Sequence, residues 1–463
     1  MDRTERMLLH AILEEPQEKL PRLVYADWLE ENGREPRAEF IRAQIALDGL
    51  EEGEAKERLL QREADLRSAH EAEWRAELPE IPGLEWGAFA WGMVETAHVR
   101  SWKAFKDGIE AAWQATPIQS VRFSRLSARG AQALARHPGL ARLFDRLDLR
   151  SCAIGDAGLA ALAESPHFRP FHLVLDSCGI GDDGIAALAR SERAARLNSL
   201  ALRSNHLNEA GAAALGASPH LGALQGLFLD YNSIGSAGLA ALLRGLPGLT
   251  WLQLDSTDID STAPLAGWPG LRNLGTLEME GNGLTPAALA PLLRSGRLDR
   301  LRHLDLSHNP LGQEGAEMLS AAAFGRPLDR LSLGACGLGD EGVAALAGNA
   351  SLRAARHLRL YSTDALGPAT ARTIAESFAR LEELWLFYTT SGDEGAEALA
   401  SSSSLASLRH LDLYHTHMGE RGAMALARTG KLPALRELDV RVNDIPMAAR
   451  KALRRRYGEG LKA

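Results

Sequence analysis

Three cysteines, two glycine-rich turns, a group of histidines and a run of acids and aromatics are the residues here that could do chemistry. Cys152, Cys178 and Cys336 each stand five residues after a leucine. Asn205, Asn232, Asn282, Asn309 and Asn443 hold the same place elsewhere, as do Thr257, Thr363, Thr389 and Thr416. A place shared by Cys, Asn and Thr is one that turns inward and satisfies the backbone groups of a turn. A thiolate nucleophile needs a base fixed beside it, and the sequence offers none. The cysteines are therefore read as structural, and three of them make no disulfide framework. Gly179-Ile180-Gly181-Asp182-Asp183-Gly184 and Gly337-Leu338-Gly339-Asp340-Glu341-Gly342 are literal G-x-G-x-x-G runs between a strand and a helix, as a dinucleotide site requires. Sister turns lack the first glycine, and their short period does not build a doubly wound domain, so nucleotide binding is set aside. His303, His308, His357, His410, His415 and His417 show no zinc-ligand spacing, and Asp255, Asp258 and Asp260 lack the EF-hand pattern. No metal or cofactor is expected.

Two other sets share one phase. Asp176, Asp230, Asp255, Glu278, Glu280 and Asp305 form an acidic stripe, and Tyr361, Trp385, Phe387, Tyr388, Tyr414 and His415 form a late aromatic patch. Phe228 and Tyr231 make a smaller pair. Only 6% of the chain is aromatic, so three successive segments carrying these rings are an enrichment. Each lies at an x of Leu-x-Leu-x-x, where side chains project away from a core. Exposed aromatics on such a face anchor partners. The rival reading is that the rings stack on one another and shield the sheet.

These positions presuppose a repeat. The first leucine of the strand core recurs at Leu147, Leu173, Leu200, Leu227, Leu252, Leu277, Leu304, Leu331, Leu358, Leu384, Leu411 and Leu438, eleven steps over 291 residues. The mean period is about 26.5 residues. Val121 extends the register back one step, giving thirteen units. Each strand leads into a turn and an Ala/Leu helix, as in Gly155–Ala163 and Gly181–Ala189, with Asp156, Asp182, Asp340 and Asp393 placed as N-cap carboxylates. One unit cannot bury its own apolar face, so stacked units must share a continuous core. The stretch 258–264 lacks the usual turn and predicts a short, irregular unit.

Leu301-Arg302-His303-Leu304-Asp305-Leu306-Ser307-His308-Asn309-Pro310-Leu311 matches the leucine-rich repeat motif in full. Unit length and helical halves resemble the ribonuclease-inhibitor-like subclass, over roughly residues 92–457. The resemblance implies an α/β right-handed horseshoe solenoid, with parallel strands on the concave face and helices on the convex one. Val94–Val99 and the helix-like 101–115 read as the N-terminal cap, and Met447–Tyr457, with Arg450, Lys451, Arg454, Arg455 and Arg456, as the C-terminal capping helix.

Residues 1–80 have no such period. Met7, Leu8, Ala11 and Ile12, then Leu20, Val24 and Trp28, then Ala38, Ile41 and Ile45 have helical spacing, and 51–77 reads as a longer charged helix. The expected organisation is a small helical domain at 1–80, a junction at 79–92 and the solenoid at 92–457. Pro21–Gly33 with Arg37–Arg42 resembles the bacterial repeat-companion domain, which implies no active site. Arg22, Tyr25, Asp27 and Trp28 read as a helix-pair core held by an ion pair, with a partner site as the alternative.

The acids concentrate in residues 1–80, with 21 acids against 12 bases, leaving 39 against 40 in the rest. No large basic face for nucleic acid is expected. No apolar run approaches the ~20 residues of a membrane span, and no signal-peptide pattern is seen. The sequence therefore points to a bacterial, cytoplasmic, non-enzymatic scaffold that binds a protein partner on its concave face. A regulator or inhibitor of an enzyme, in the manner of ribonuclease inhibitors or leucine-rich GTPase activators, is the alternative. An enzyme with a cryptic N-terminal site is the reading from another class.

Overall fold

The structure is a computed structural model that describes residues 3–50, 53–361 and 365–463, so Thr363 and the start of the 51–77 segment lie outside the described residues. The chain divides into two compact units, Met1–Ala201 and Leu202–Ala463.

In the first unit, the periodic apolar residues form helices α1 (Arg3–Glu14), α2 (Leu20–Glu31), α3 (Glu35–Leu47) and α4 (Glu54–Ala76). Their stripes meet in one cluster of Ile12, Tyr25, Ala26, Leu29, Ala38 and Ile41, and Phe40, Leu66 and Trp74 build a second. Proline opens α2 and α3, where its missing N–H goes unused. The segment 79–92 is not a plain junction. Leu84–Trp86 pairs antiparallel with Thr96–Val99, and Phe89–Ala90 forms a hairpin with Met93–Val94. Gly92, at φ 82°, lets the hairpin tip lie against α3, where a Cβ would come within 2.1 Å of Ile41. Helix α5 (Trp102–Ala115) follows, capped by the Ser101 hydroxyl, which accepts from the Ala104 N–H. Four parallel strands complete the unit after Thr96–Val99, and Val121, Leu147, Leu173 and Leu200 stand opposite one another in sequence.

The second unit repeats the same step. Three-residue parallel strands run from Gly226–Phe228 to Glu437–Asp439, with Leu227, Leu252, Leu277, Leu304, Leu331, Leu358, Leu384, Leu411 and Leu438 in register. All of these leucines are buried. The helices alternate with the strands and stack through alanine and glycine; a Cβ on Gly422 would come within 2.8 Å of Ala396. The short segment forms only a five-residue helix, Ala263–Gly267. Met447–Tyr457 is helical, and its Tyr457 hydroxyl donates to the Leu426 carbonyl at 3.0 Å. Beyond it, Leu461–Lys462 adds a further strand beside Glu437–Asp439, which the sequence reading did not include.

Two ladders of side chains join successive repeats. Along the strands, Asn309 Oδ1 accepts from the N–H groups of Asn282 (3.1 Å) and Leu284 (2.8 Å), while its Nδ2 donates to the Met279 carbonyl at 2.9 Å. Asn443 treats Thr416, Met418 and Leu413 in the same way. Each asparagine thus completes the turn of the repeat before it. Along the helices, the aspartates correct the expectation. Asp156, Asp340 and Asp393 do not cap their own helices, which begin one residue earlier at Gly155, Gly339 and Gly392. Asp393 Oδ1 accepts from the N–H groups of Gly419 (2.7 Å) and Gly422 (2.8 Å), and Asp340 Oδ1 from those of Gly367 and Thr370, both at 2.9 Å. Asp156 accepts from Gly181 at 2.7 Å. Standing inside the first turn, these carboxylates reach sideways to the N-terminus of the next helix, whose free N–H groups lie beside them.

Candidate functional site

The second unit carries eleven of the twelve acidic and aromatic residues singled out from sequence at x positions of Leu-x-Leu-x-x, the twelfth, Asp176, lying in the first unit. Asp230 is buried, takes the Arg203 guanidinium at 2.7 Å and accepts from the Asp255 N–H at 3.0 Å. Asp255 in turn accepts from the Glu280 N–H at 2.8 Å, and Asp305 from that of Ser307 at 2.9 Å. Glu278 receives the Gln253 amide at 2.7 Å. Partial burial raises Glu278 and Glu280 above the usual carboxylate range. Burial, followed by the repulsion of Asp230, pushes Asp255 up to about 8.

The aromatic residues come together as one continuous surface. Tyr361 and Phe387 stack with centroids 4.5 Å apart and planes 8° from parallel. Phe387 touches Trp385 (6.2 Å) and Tyr388 (6.0 Å), and Tyr388 reaches Tyr414 (5.3 Å) and His415 (5.0 Å). The rings do stack on one another, as the rival reading held, and Tyr388 is still 45% exposed. Tyr361 lies flat over Gly334, whose Cβ would come within 2.3 Å of the ring. His308, on the acidic side, stands 6.0 Å from the Tyr361 ring and 3.7 Å from Glu280. The acidic and aromatic sections are therefore contiguous.

Sequence reasoning missed the cations of this face. Arg203 stacks on Phe228 at 4.5 Å, Arg359 on Trp385 at 4.4 Å and Arg441 on Tyr414 at 5.6 Å. Reading the same register positions for bases would have found all three. The expected Phe228–Tyr231 pair is corrected: Phe228 packs on Trp251 at 5.3 Å. Tyr231 is exposed, and its backbone is left-handed, at φ 58°. It shares this with Ser256, His308, Ala335, Tyr388, His415 and Val442, all at the fourth position after the strand leucine. Bulky or β-branched residues adopt that conformation rarely.

The remaining candidates disperse. The three thiols are buried and donate to backbone carbonyls, Cys178 to Leu149 at 3.0 Å and Cys336 to Leu306 at 3.1 Å, and burial pushes both up to about 12. They are structural, as their register implied. Gly184 and Gly342 serve helix packing, the first against Asp156 and the second against Ala316. His357 meets Glu383 at 3.0 Å and His410 meets Glu437 at 3.2 Å. Among the described residues no group of His, Cys, Asp or Glu is arranged to hold a metal ion, and no helix is long and apolar enough to cross a membrane. In the first unit, Arg22 is fully buried and pairs with Glu95 rather than within the helix pair. Tyr25 donates to Glu5 at 3.1 Å, and Asp27 pairs with Arg42 at 2.6 Å.

Among solved structures, the chain is similar to that of the yeast Rad7 and Elc1 complex, at 21% identity and a TM-score of 0.47 over 70% of this chain and 84% of the other. It is also similar to an internalin, InlF, from Listeria monocytogenes, at 16% identity and a TM-score of 0.40 over 72% and 93%. No curated protein matches in sequence. The family model described as Leucine Rich repeat matches residues 145–163 and 172–189 in the first unit and 301–320, 326–347 and 404–427 in the second. The chain thus carries leucine-rich repeats in both of its units.

Proposed function

We propose that this chain is a non-enzymatic scaffold that binds a protein partner on the strand face of its second unit, in the bacterial cytoplasm. The small acidic domain at 1–80 precedes thirteen repeats at 92–457. Tyr361, Trp385, Phe387, Tyr388, Tyr414 and His415 anchor the partner, and Asp255, Glu278, Glu280 and Asp305 select a basic one, with Asp230 holding Asp255 in place. The observation that carries this reading is the continuous ring surface from Tyr361 to His415, adjoining Asp255, whose carboxyl burial pushes up to about 8. A cation arriving beside Asp255 draws its proton off, so binding strengthens as the pH rises toward 8. Regulation of a partner enzyme is the second reading, and a change in the partner's turnover on binding separates it from passive scaffolding.

The test is affinity capture from native lysate with the wild type and with Trp385→Ala/Phe387→Ala/Tyr388→Ala, after the variant's fold has been checked by circular dichroism. A partner held by the wild type and lost from the variant supports the reading. A partner held equally by both overturns it.

A further inference from the structure

A cavity of about 220 Å³ lies within the first unit, between the helices α1–α4 and the segment Met93–Val94. That is room for far more than a single water and less than a drug-sized pocket. Most of its polar wall is already matched. Arg34 donates to Glu5 at 2.8 Å and to the Tyr25 hydroxyl at 2.9 Å, and the Thr116 hydroxyl donates to the Val94 carbonyl at 2.6 Å. Arg37 is the exception. It is 9% exposed, and its Nη1 is buried with no hydrogen-bond partner. Its guanidinium is held instead by rings, 4.6 Å from Trp74 and 5.0 Å from Phe89, which also line the cavity. Ring faces offset part of a cation's desolvation but accept no N–H in the plane of the guanidinium. Desolvation accordingly pulls Arg37 down to about 10.

We propose that this cavity binds a small organic carboxylate, with the carboxylate on Arg37 and an apolar body among Leu9, Phe89 and Met93. The charge count favours a monoanion over a phosphate dianion. Arg34 and Glu5 neutralise each other, which leaves Arg37 with exposed Glu77 at the wall. A guanidinium whose Nη1 lacks a partner takes a carboxylate in a charge-assisted pair, and the exclusion of water strengthens it.

The experiment is ligand-observed NMR and calorimetry on the full chain with benzoate and hydrocinnamate. Inorganic phosphate and benzylamine are the controls. Arg37→Met keeps a stem between Trp74 and Phe89 and removes the charge. Glu77→Gln leaves Arg37 in place and removes the one competing carboxylate. The expected result is millimolar or tighter binding of a carboxylate probe, weakened about ten-fold or more by Arg37→Met and preserved or strengthened by Glu77→Gln. Failure of both carboxylates to bind folded wild type overturns the proposal. So does equal binding to Arg37→Met, equal binding of benzylamine, or loss of binding in Glu77→Gln.

Discussion

Arg22 and Glu95 meet at 2.5 Å across 73 positions of the chain, with the guanidinium fully buried. Arg22 also donates to the Pro16 carbonyl at 2.7 Å and to that of Trp91 at 3.3 Å, so it ties α2 to the hairpin and to the first strands of the repeats. Burial pushes Glu95 up to about 7 against the pull of Arg22. Removing one member of such a pair strands the other without compensation. Arg22→Met is expected to cost about 3–5 kcal/mol. Denaturant unfolding of the full chain measures it, and a loss below 1 kcal/mol would mean that the pair is dispensable.

The aspartate ladder makes a separate prediction. Asp393 satisfies two N–H groups of the next helix. Asp393→Ala is expected to destabilise the second unit by about 1–2 kcal/mol, the worth of a helix cap. Asp393→Asn retains the acceptor and is expected to lose less. Had the carboxylate capped its own helix, hydrogen exchange in Asp393→Ala would quicken in Gly392–Ser401. It is expected to quicken in Glu420–Arg428.

Asp255 gives a pH dependence whose direction follows from its raised value. In the folded state it holds its proton up to about pH 8, whereas in the unfolded chain it ionises near 4. Between those values the unfolded state has already released the proton, so the stability contributed by this group falls as pH rises and levels off above about 8. Thermal melts of wild type and Asp255→Asn are expected to agree at about pH 4 and to diverge toward pH 8, with the variant the more stable. A constant difference across that range would show that Asp255 titrates normally.

The left-handed positions can be tested against stability directly. Tyr231 is 61% exposed and sits at φ 58°. Gly281 occupies the equivalent place two repeats later, at φ 67°, where a glycine belongs. Tyr231→Asn or Tyr231→Gly is expected to stabilise the protein by up to about 1 kcal/mol. Tyr388→Asn relieves the same backbone but forfeits contacts with Tyr414 and His415, so its melting temperature is expected to change little while partner capture falls. A clear loss of stability in Tyr231→Asn would mean that the tyrosine ring holds the turn.

What the sequence made legible follows from what repeats. Leu304 and Leu331 must face each other because each strand sits on the last, so a leucine period fixes strands and register together. Cys336 and Asn309 shared a phase, and that phase, with no base beside it, marked the thiol as structural. Features that depend on approach in space were less visible. Tyr361 lies across Gly334 because that residue lacks a side chain, and the only signal was a glycine standing between Ser307 and Tyr361 at the same place in the adjoining repeats. The direction of Asp393 was misread because a carboxylate in a first turn reads as a local cap until a second helix stands beside it. Glu95 could not be matched to Arg22 from helical spacing, since the two belong to different kinds of structure.

The two ladders run in opposite senses. Asn309 and Asn443 reach back to the preceding turn, while Asp340 and Asp393 reach forward to the following helix. Where these residues stand, one repeat's side chain completes a neighbour's backbone, Asn309 that of the repeat before it and Asp393 that of the repeat after it. A gene encoding such a chain can be lengthened or shortened without loss of bonding only by splicing at matched phase. A whole repeat gained or lost at matched phase keeps Asn309 behind a turn and Asp393 before a helix, whereas a cut at any other phase orphans whichever of them stands at the junction.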